Sequence, residues 1–241
     1  MKPRFKKKTI VDPRIKDQQN VINKKLKDPV IREKLKHLSN LYTNKHELYP
    51  KNRGYKEYNY AFLQLLEGKP LLEFVLKRFK NSKKSKLTIM DEGAGLTRFL
   101  TEFKSLLEKR NINSETTAIT LTPGVDLKNS KVDILVKQKS QNFKPFKKYD
   151  LITSVFGGVF YNISELDKNL ILKFSHSLSR NGVFLFGTNR LKPLKNITVE
   201  EHINNIKRTM IKNGFRLDFK FAPSNNNHKL PTYIFKIERL P

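Results

Sequence analysis

The sequence predicts an α/β fold: a doubly wound, mostly parallel seven-stranded sheet with an antiparallel C-terminal hairpin, preceded by a helical N-terminal extension. Three observations lead to this prediction. From Leu87 onward, short apolar runs of strand length alternate with longer runs of helical spacing, as βαβ units do. A glycine-rich turn directly follows the first short run. The first 67 residues show helical spacing and a strong excess of basic residues.

Seven short apolar runs are predicted as strands, and three longer runs between them as helices. The strands are residues 87–91, 117–121, 132–136, 150–155, 183–187, 215–221 and 233–238, and the helices are residues 96–109, 164–178 and 199–212. The last helix is expected to begin with a capping box of Thr198 and Glu201 and to end at Asn213-Gly214.

The N-terminal part predicts helices of its own. Helical spacing follows Asp28-Pro29, recurs between residues 58 and 66, and recurs again between residues 71 and 79. We therefore divide the chain into a basic helical extension, residues 1–67, and one α/β domain, residues 68–241. At 241 residues, two full domains would leave each with a small core.

Composition excludes several classes of site. The chain has no cysteine, which rules out disulfides and thiolate chemistry, and no pair of its five histidines has the i, i+4 spacing of a helical metal site. We expect no metal. Neither a signal peptide nor a transmembrane run is apparent, so we expect a soluble, cytoplasmic protein.

The formal charge of +27 predicts attraction to polyanions such as RNA. Residues 1–86 hold 24 Lys and Arg against 8 Asp and Glu, so the excess is greatest near the N-terminus. The alternative is that Lys, Asn and Ile enrichment reflects an AT-rich genome, with the lysines simply solvated. Charge alone leaves these two interpretations equal.

The segment LTIMDEGAGLTRFL, residues 87–100, is the most informative motif. A strand ends in Asp91, Gly93 and Gly95 follow, Thr97 comes two residues later, and a helix begins at once. Glycines at this point let the backbone turn sharply and let a ligand approach main-chain N–H groups. The spacing D-x-G-x-G-x-T differs from the dinucleotide fingerprint G-x-G-x-x-G.

This motif resembles the first motif of the class I, Rossmann-fold S-adenosylmethionine (SAM) dependent methyltransferases. Asp91, Gly93 and Gly95 match it, Ala94 lies between the glycines, and Thr97 stands where a third glycine is common. The resemblance implies SAM as cofactor. It also implies that this turn lies under the methionine part of SAM, and that the acidic residue, Asp91, binds the amino group of SAM directly or through water.

The next two strands depart from the family pattern. Where the family has an acidic residue that holds both ribose hydroxyls, this chain has Thr120, followed by Leu121. A hydroxyl can bond one ribose oxygen but cannot accept from two. The third strand should deliver a polar side chain near the adenine, and Gln138 stands where the family prefers Asp. Gln138 is equally consistent with a solvated loop.

The segment KYDLITSVFGGVFY, residues 148–161, resembles the family's fourth motif, with Tyr149, Asp150 and Ser154 as the matches. The resemblance implies that Ser154, Val155 and the residues after them line the cofactor and acceptor cleft. No N/D-P-P-Y motif follows the strand, which argues against exocyclic amines such as adenine N6 as acceptors. In all, the resemblance runs from about residue 68 to the C-terminus.

No catalytic constellation is evident, and methyl transfer depends mainly on positioning. Phe156, Tyr161, Asn189 and Arg190 are candidates for acceptor contact, and His176 is better interpreted as a helix residue than as a base.

Three functions remain open from the sequence. The first is an RNA-directed methyltransferase whose N-terminal helices bind phosphates. The second is a small-molecule or lipid methyltransferase in which those helices form a lid. The third is a noncatalytic binding protein that keeps the fold, because Thr120 and Gln138 replace usual cofactor ligands.

Overall fold

The computed structural model describes most of the chain from Arg53 to the C-terminus, and the backbone of a short N-terminal strand. The described residues are 8–11, 53–80, 84–120, 131–155, 167–188, 197–221 and 233–241. Within them, eight strands form one sheet. The helix predicted after Asp28-Pro29 lies outside these ranges.

The sheet is parallel except at its C-terminal end. Its strands are β1 (Lys8–Val11), β2 (Leu87–Glu92), β3 (Ser114–Ile119), β4 (Ile134–Lys137), β5 (Tyr149–Val155), β6 (Leu178–Thr188), β7 (Phe215–Phe221) and β8 (Tyr233–Arg239). The spatial order is β1-β4-β3-β2-β5-β6-β8-β7. Neighbours from β1 to β6 pair in parallel, whereas β8 runs antiparallel to both β6 and β7.

Five helices occur in the described residues: α1 (Tyr55–Phe62), α2 (Leu71–Lys80), α3 (Arg98–Glu108), α4 (Lys168–His176) and α5 (Val199–Lys212). Helix α5 has the predicted bounds, and its capping box is present: the Thr198 hydroxyl accepts from the Glu201 N–H at 3.1 Å, and the Glu201 carboxylate accepts from the Thr198 N–H at 2.6 Å. His176 is the last residue of α4, in agreement with its interpretation as a helix residue.

The predicted α/β fold is confirmed, with all seven predicted strands and the antiparallel C-terminal pair in place. The structure adds one strand that the sequence analysis missed. Residues Lys8–Val11, assigned to a helical extension, pair in parallel with β4, with Lys8 opposite Ile134. Three β-branched residues in a row, Thr-Ile-Val, favour this extended conformation.

Helices cover both faces of the sheet, and two apolar clusters fill the space beneath them. One cluster joins the sheet to α1, α2 and α3, and the other joins it to α4 and α5. Side chains alternate along a strand, so Leu87 and Ile89 of β2 enter the first cluster and Met90 enters the second. The same alternation directs Asp91 toward the α1–α3 face and Glu92 toward the α4–α5 face.

Two aspartates tie neighbouring strands together near their amino ends. Oδ2 of Asp150, in β5, accepts from the Thr88 N–H at 2.9 Å and the Thr88 hydroxyl at 2.8 Å. Asp133, just before β4, accepts from the N–H and hydroxyl of Thr116 in the same way, both at 2.9 Å. Each aspartate also pairs with a lysine. The Asp of the fourth motif therefore fixes β5 against β2, at the end of the sheet opposite the glycine turn.

None of the described helices is long and apolar enough to cross a bilayer. Cytoplasmic location stays a prediction.

We expect Asp150→Ala to lower the free energy of unfolding by about 2–4 kcal/mol, because it leaves the half-buried Thr88 N–H and the Ser179 hydroxyl without an acceptor. Burial acts to raise the pKa of Asp150, but hydrogen bonds from Lys84, Ser179 and Thr88 hold it below its ordinary value. The stabilisation is therefore present above the unfolded pKa, about 4, and is lost as pH falls through the lower folded pKa.

Urea denaturation at pH 7 and at pH 3 measures both effects. The matched control is Asp218→Ala, which removes a more exposed aspartate of β7 and should change stability by less than about 1 kcal/mol. Equal losses in the two variants would show that the Asp150 contacts carry no special stabilisation.

Candidate functional site

The turn after β2 adopts left-handed backbone angles at three alternate positions. Gly93 has φ 71°, Gly95 has φ 51°, and Thr97 has φ 63°. Glycine adopts such angles without a Cβ clash, whereas threonine does so at an energetic cost. Helix α3 begins at the next residue, so the predicted strand, turn and helix are present and the main-chain N–H groups of the first turn of α3 face this loop.

Thr97 is buried, and its hydroxyl has no hydrogen-bond partner within the described residues. Although it precedes α3, its side chain does not cap the helix. A strained backbone and a buried, unsatisfied hydroxyl are both unusual, and both are typical of a position shaped for a ligand. The partial positive charge of a helix N-terminus makes an anionic group the suitable ligand.

Asp91 lies fully buried at the carboxyl end of β2, the central strand of the parallel sheet. Its carboxylate accepts from the Thr153 hydroxyl at 2.7 Å. It also accepts from the Tyr58 hydroxyl at 3.2 Å to Oδ1 and 3.0 Å to Oδ2. Burial raises the pKa of Asp91 to about 8, although the hydrogen bonds from Thr153 and Tyr58 act in the opposite direction.

Helix α1 covers this carboxylate. The Tyr58 ring stacks on the Phe99 ring of α3 with centroids 3.9 Å apart, and Phe99 stacks in turn on Phe103 at 5.4 Å. At the start of α1, the Glu102 carboxylate accepts from the Tyr55 N–H at 2.7 Å. Helix α1 is thereby fixed to the helix that follows the glycine turn.

The loops after β2 and β3 meet at the same edge. The Thr120 hydroxyl donates to the Gly95 carbonyl at 2.9 Å, which links the second predicted cofactor position to the glycine turn. Gln138 directly follows β4 and is half-buried. Ala94 and Val155 are buried, with Val155 the last residue of β5. The carboxyl ends of β2 to β5 therefore bring these predicted residues together.

Ser154 has different surroundings from the ones the sequence analysis gave it. It faces the α4–α5 side, where its hydroxyl donates to Glu92 at 2.6 Å. The Ser140 hydroxyl donates to the other Glu92 oxygen. Thr153, one residue earlier, is the β5 residue that contacts Asp91. Strand phase decides this difference, because consecutive residues point to opposite faces.

Sequence analysis missed Tyr58, Thr153, Glu92 and Ser140. A signal for Glu92 was present, since a second carboxylate in an otherwise apolar strand requires polar partners. No sequence signal pairs Tyr58 with Asp91. Five predicted residues lie outside the described ranges: Leu121, Phe156, Tyr161, Asn189 and Arg190. No cluster of three or more His, Asp or Glu suited to a metal ion occurs in the described part of the chain.

No protein-family model and no curated protein matches the sequence. Solved structures do match. The chain is similar to the plantazolicin methyltransferase BpumL, solved with S-adenosylhomocysteine (SAH) and a triazolic desmethylPZN analog, with TM-score 0.54 and 14% identity over 90% of this chain and 93% of that one. The fold is that of the class I methyltransferases.

Two further structures agree. One is a protein from Listeria monocytogenes that has been assigned to the class I SAM-dependent methyltransferases, with TM-score 0.53 and 13% identity over 85% of this chain and 66% of that one. The other is the CMeT domain of the citrinin polyketide synthase, with TM-score 0.50 and 14% identity over 70% and 52%. This chain thus spans between half and two thirds of those two. Identities this low establish the fold alone.

We expect Asp91→Asn to make the folded protein more stable relative to wild type as pH rises. Between the unfolded pKa of about 4 and the folded pKa of about 8, the folded state holds a proton that the unfolded state has released, so wild-type stability falls across this window. The amide does not titrate. We therefore expect the free energy of unfolding of Asp91→Asn, relative to that of wild type, to be on the order of 2–4 kcal/mol greater at pH 8.5 than at pH 4.

Urea denaturation of both proteins from pH 4 to pH 9 measures this difference, with Asp218→Asn, at a half-buried aspartate of β7, as control. Parallel stability curves for wild type and Asp91→Asn would show that Asp91 titrates normally.

Proposed function

We propose that this protein is a SAM-dependent methyltransferase that binds its cofactor at the carboxyl ends of β2, β3 and β4. The observation that carries the proposal is the pairing of two groups on either side of one turn. A buried carboxylate, Asp91, precedes the turn, and a buried hydroxyl without a partner, Thr97, follows it at a helix N-terminus. An amino acid group, with one ammonium and one carboxylate, matches these two ends.

The residues present fit SAM, which supplies a methyl group on a sulfonium. Asp91 binds the ammonium group, and Thr97 with the first turn of α3 binds the carboxylate. Gly93 and Gly95 keep the main chain open to the ligand. The Thr120 hydroxyl gives its proton to Gly95, so toward a ribose hydroxyl it acts as an acceptor. Gln138 offers an amide to the adenine edge. These contacts hold the methyl donor in place. Positioning of this kind supplies most of the catalysis of methyl transfer.

For the acceptor, the described contacts support a small molecule or peptide over RNA. Helix α1 packs its aromatic face onto α3 and covers Asp91, as a lid does, and exposes Lys56 and Tyr60. Neither the name of the citrinin polyketide synthase domain nor that of the plantazolicin methyltransferase refers to RNA. RNA as acceptor stays a prediction, and residues 1–7 and 12–52, which belong to the basic N-terminal segment behind it, lie outside the described ranges.

We expect the purified protein to bind SAM, and Asp91→Asn to weaken binding about 10- to 100-fold because a charge-assisted hydrogen bond is lost. Gly95→Ala should also weaken binding, since it adds a side chain at φ 51° in the turn. Isothermal titration calorimetry with SAM and SAH at pH 8 measures both.

The matched control is Gly214→Ala. Gly214 has φ 79° and open space around its Cβ position, so this variant carries similar backbone strain, at the α5–β7 turn and outside the site. SAM affinity should be unchanged. If wild type bound no SAM at millimolar concentration, the noncatalytic alternative would replace this proposal.

A further inference from the structure

Tyr58 belongs to the segment that the sequence analysis placed outside the cofactor-binding domain. In the structure, however, its hydroxyl lies 3.0 Å and 3.2 Å from the two carboxylate oxygens of Asp91, which is 33 residues away in the chain. Tyr58 is itself buried. Burial and the neighbouring Asp91 raise the pKa of Tyr58 well above its ordinary value, so the hydroxyl stays neutral and donates.

The position of this hydroxyl is rigidly determined. The Tyr58 ring lies almost parallel to the Phe99 ring, with an interplanar angle of 5°, and Phe99 is in the first turn of α3. Glu102, one turn later in α3, accepts from the N–H of Tyr55, the first residue of α1. A hydroxyl held by packing on two sides orients its acceptor without losing much side-chain entropy.

The two hydroxyl donors do not use all of the acceptor capacity of the Asp91 carboxylate. Thr153 donates to Oδ1, and Tyr58 shares its one proton between Oδ1 and Oδ2. A carboxylate has about four acceptor positions, so Oδ2 has capacity for a further donor. The Tyr58 oxygen is also an acceptor, and it lies beside Oδ2. These two adjacent acceptor oxygens match the donors of an ammonium group.

From this geometry, we propose that Tyr58 is a positioning residue of the cofactor site. It orients the Asp91 carboxylate toward the ammonium group of the cofactor, and helix α1 thereby forms part of that site. This inference rests on the proposed function.

Removal of the Tyr58 hydroxyl should alter how SAM binding depends on pH. Tyr58 on α1 and Thr153 on β5 face Asp91. Glu92, the next residue after Asp91, lies on the opposite face of the sheet but still acts on Asp91 through its charge, and Arg53 lies close to Tyr58. The hydrogen bonds from Thr153 and Tyr58 lower the pKa of Asp91, whereas Glu92 raises it. Without the Tyr58 hydroxyl, the pKa of Asp91 rises further, so a higher pH is needed to ionise it for ammonium binding.

The test compares Tyr58→Phe with Tyr60→Phe, which removes a hydroxyl from the exposed side of the same helix. Calorimetry is run from pH 6 to pH 10 with two ligands, SAM and methylthioadenosine. The second ligand keeps the adenosine and the sulfur but lacks the amino acid group. We expect Tyr58→Phe to bind SAM about 10- to 100-fold more weakly at pH 7, and its rise in affinity with pH to move to higher pH. Methylthioadenosine affinity should be unchanged, as should both affinities of Tyr60→Phe.

The outcomes separate the two proposals. A loss confined to SAM supports the positioning role, whereas equal losses for both ligands, or no loss, would overturn it while leaving the methyltransferase proposal intact. Wild type that binds neither ligand would overturn both. If Tyr58→Phe does not fold, Thr153→Val serves instead: it removes the other donor to Asp91, and it should also weaken SAM alone and move the affinity rise to higher pH.

Discussion

The structure depends on a carboxylate held inside the protein at the end of its central strand. Asp91 is fully buried, and a buried carboxyl group is tolerated when hydrogen-bond donors surround it or when it takes up a proton. One donor, Thr153, comes from the neighbouring strand, but the other comes from α1. Satisfying this one group therefore depends on the packing of α1 over the glycine turn, where Tyr58 stacks on Phe99 of α3.

A second buried carboxylate stands next to the first. Asp91 and Glu92 are consecutive residues of one strand, so they face opposite sides of the sheet and need separate donors. Glu92 accepts from Ser140 and Ser154, and the ammonium of Lys173 donates to the Ser140 carbonyl at 2.8 Å. This second group of contacts ties the loop after β4, which carries Gln138, to β2, β5 and α4. Polar contacts therefore hold the loop after β4 in place.

The buried carboxylates at the two ends of the sheet have different surroundings. At the amino ends, Asp133 and Asp150 each accept from both the N–H and the hydroxyl of a threonine on the adjacent strand, and each has a lysine as counter-ion. Those groups are satisfied within the fold. At the carboxyl ends, Asp91 keeps acceptor capacity, and Thr97 keeps a hydroxyl without a partner in the described residues. Polar groups that keep hydrogen-bonding capacity beside a glycine turn, at the carboxyl ends of parallel strands, suit a binding site.

The sequence by itself determined the α/β fold, the strand, turn and helix around Asp91, Gly93 and Gly95, and helix α5 with its capping box. These features are local: apolar periodicity, glycine turns and caps act over a few residues. It missed the strand at residues 8–11, whose partner lies more than 120 residues away. It also predicted that Ser154 lines the cleft, whereas the Ser154 hydroxyl donates to Glu92 and the adjacent Thr153 contacts Asp91.

Only the tertiary structure decided which groups meet Asp91. The phase of β5 sets which of two adjacent hydroxyls faces the carboxylate, and a shift of one residue reverses it. The contact with Tyr58 depends on how α1 packs against α3. Neither is encoded in local spacing, because both result from the joint packing of segments that are far apart in the chain.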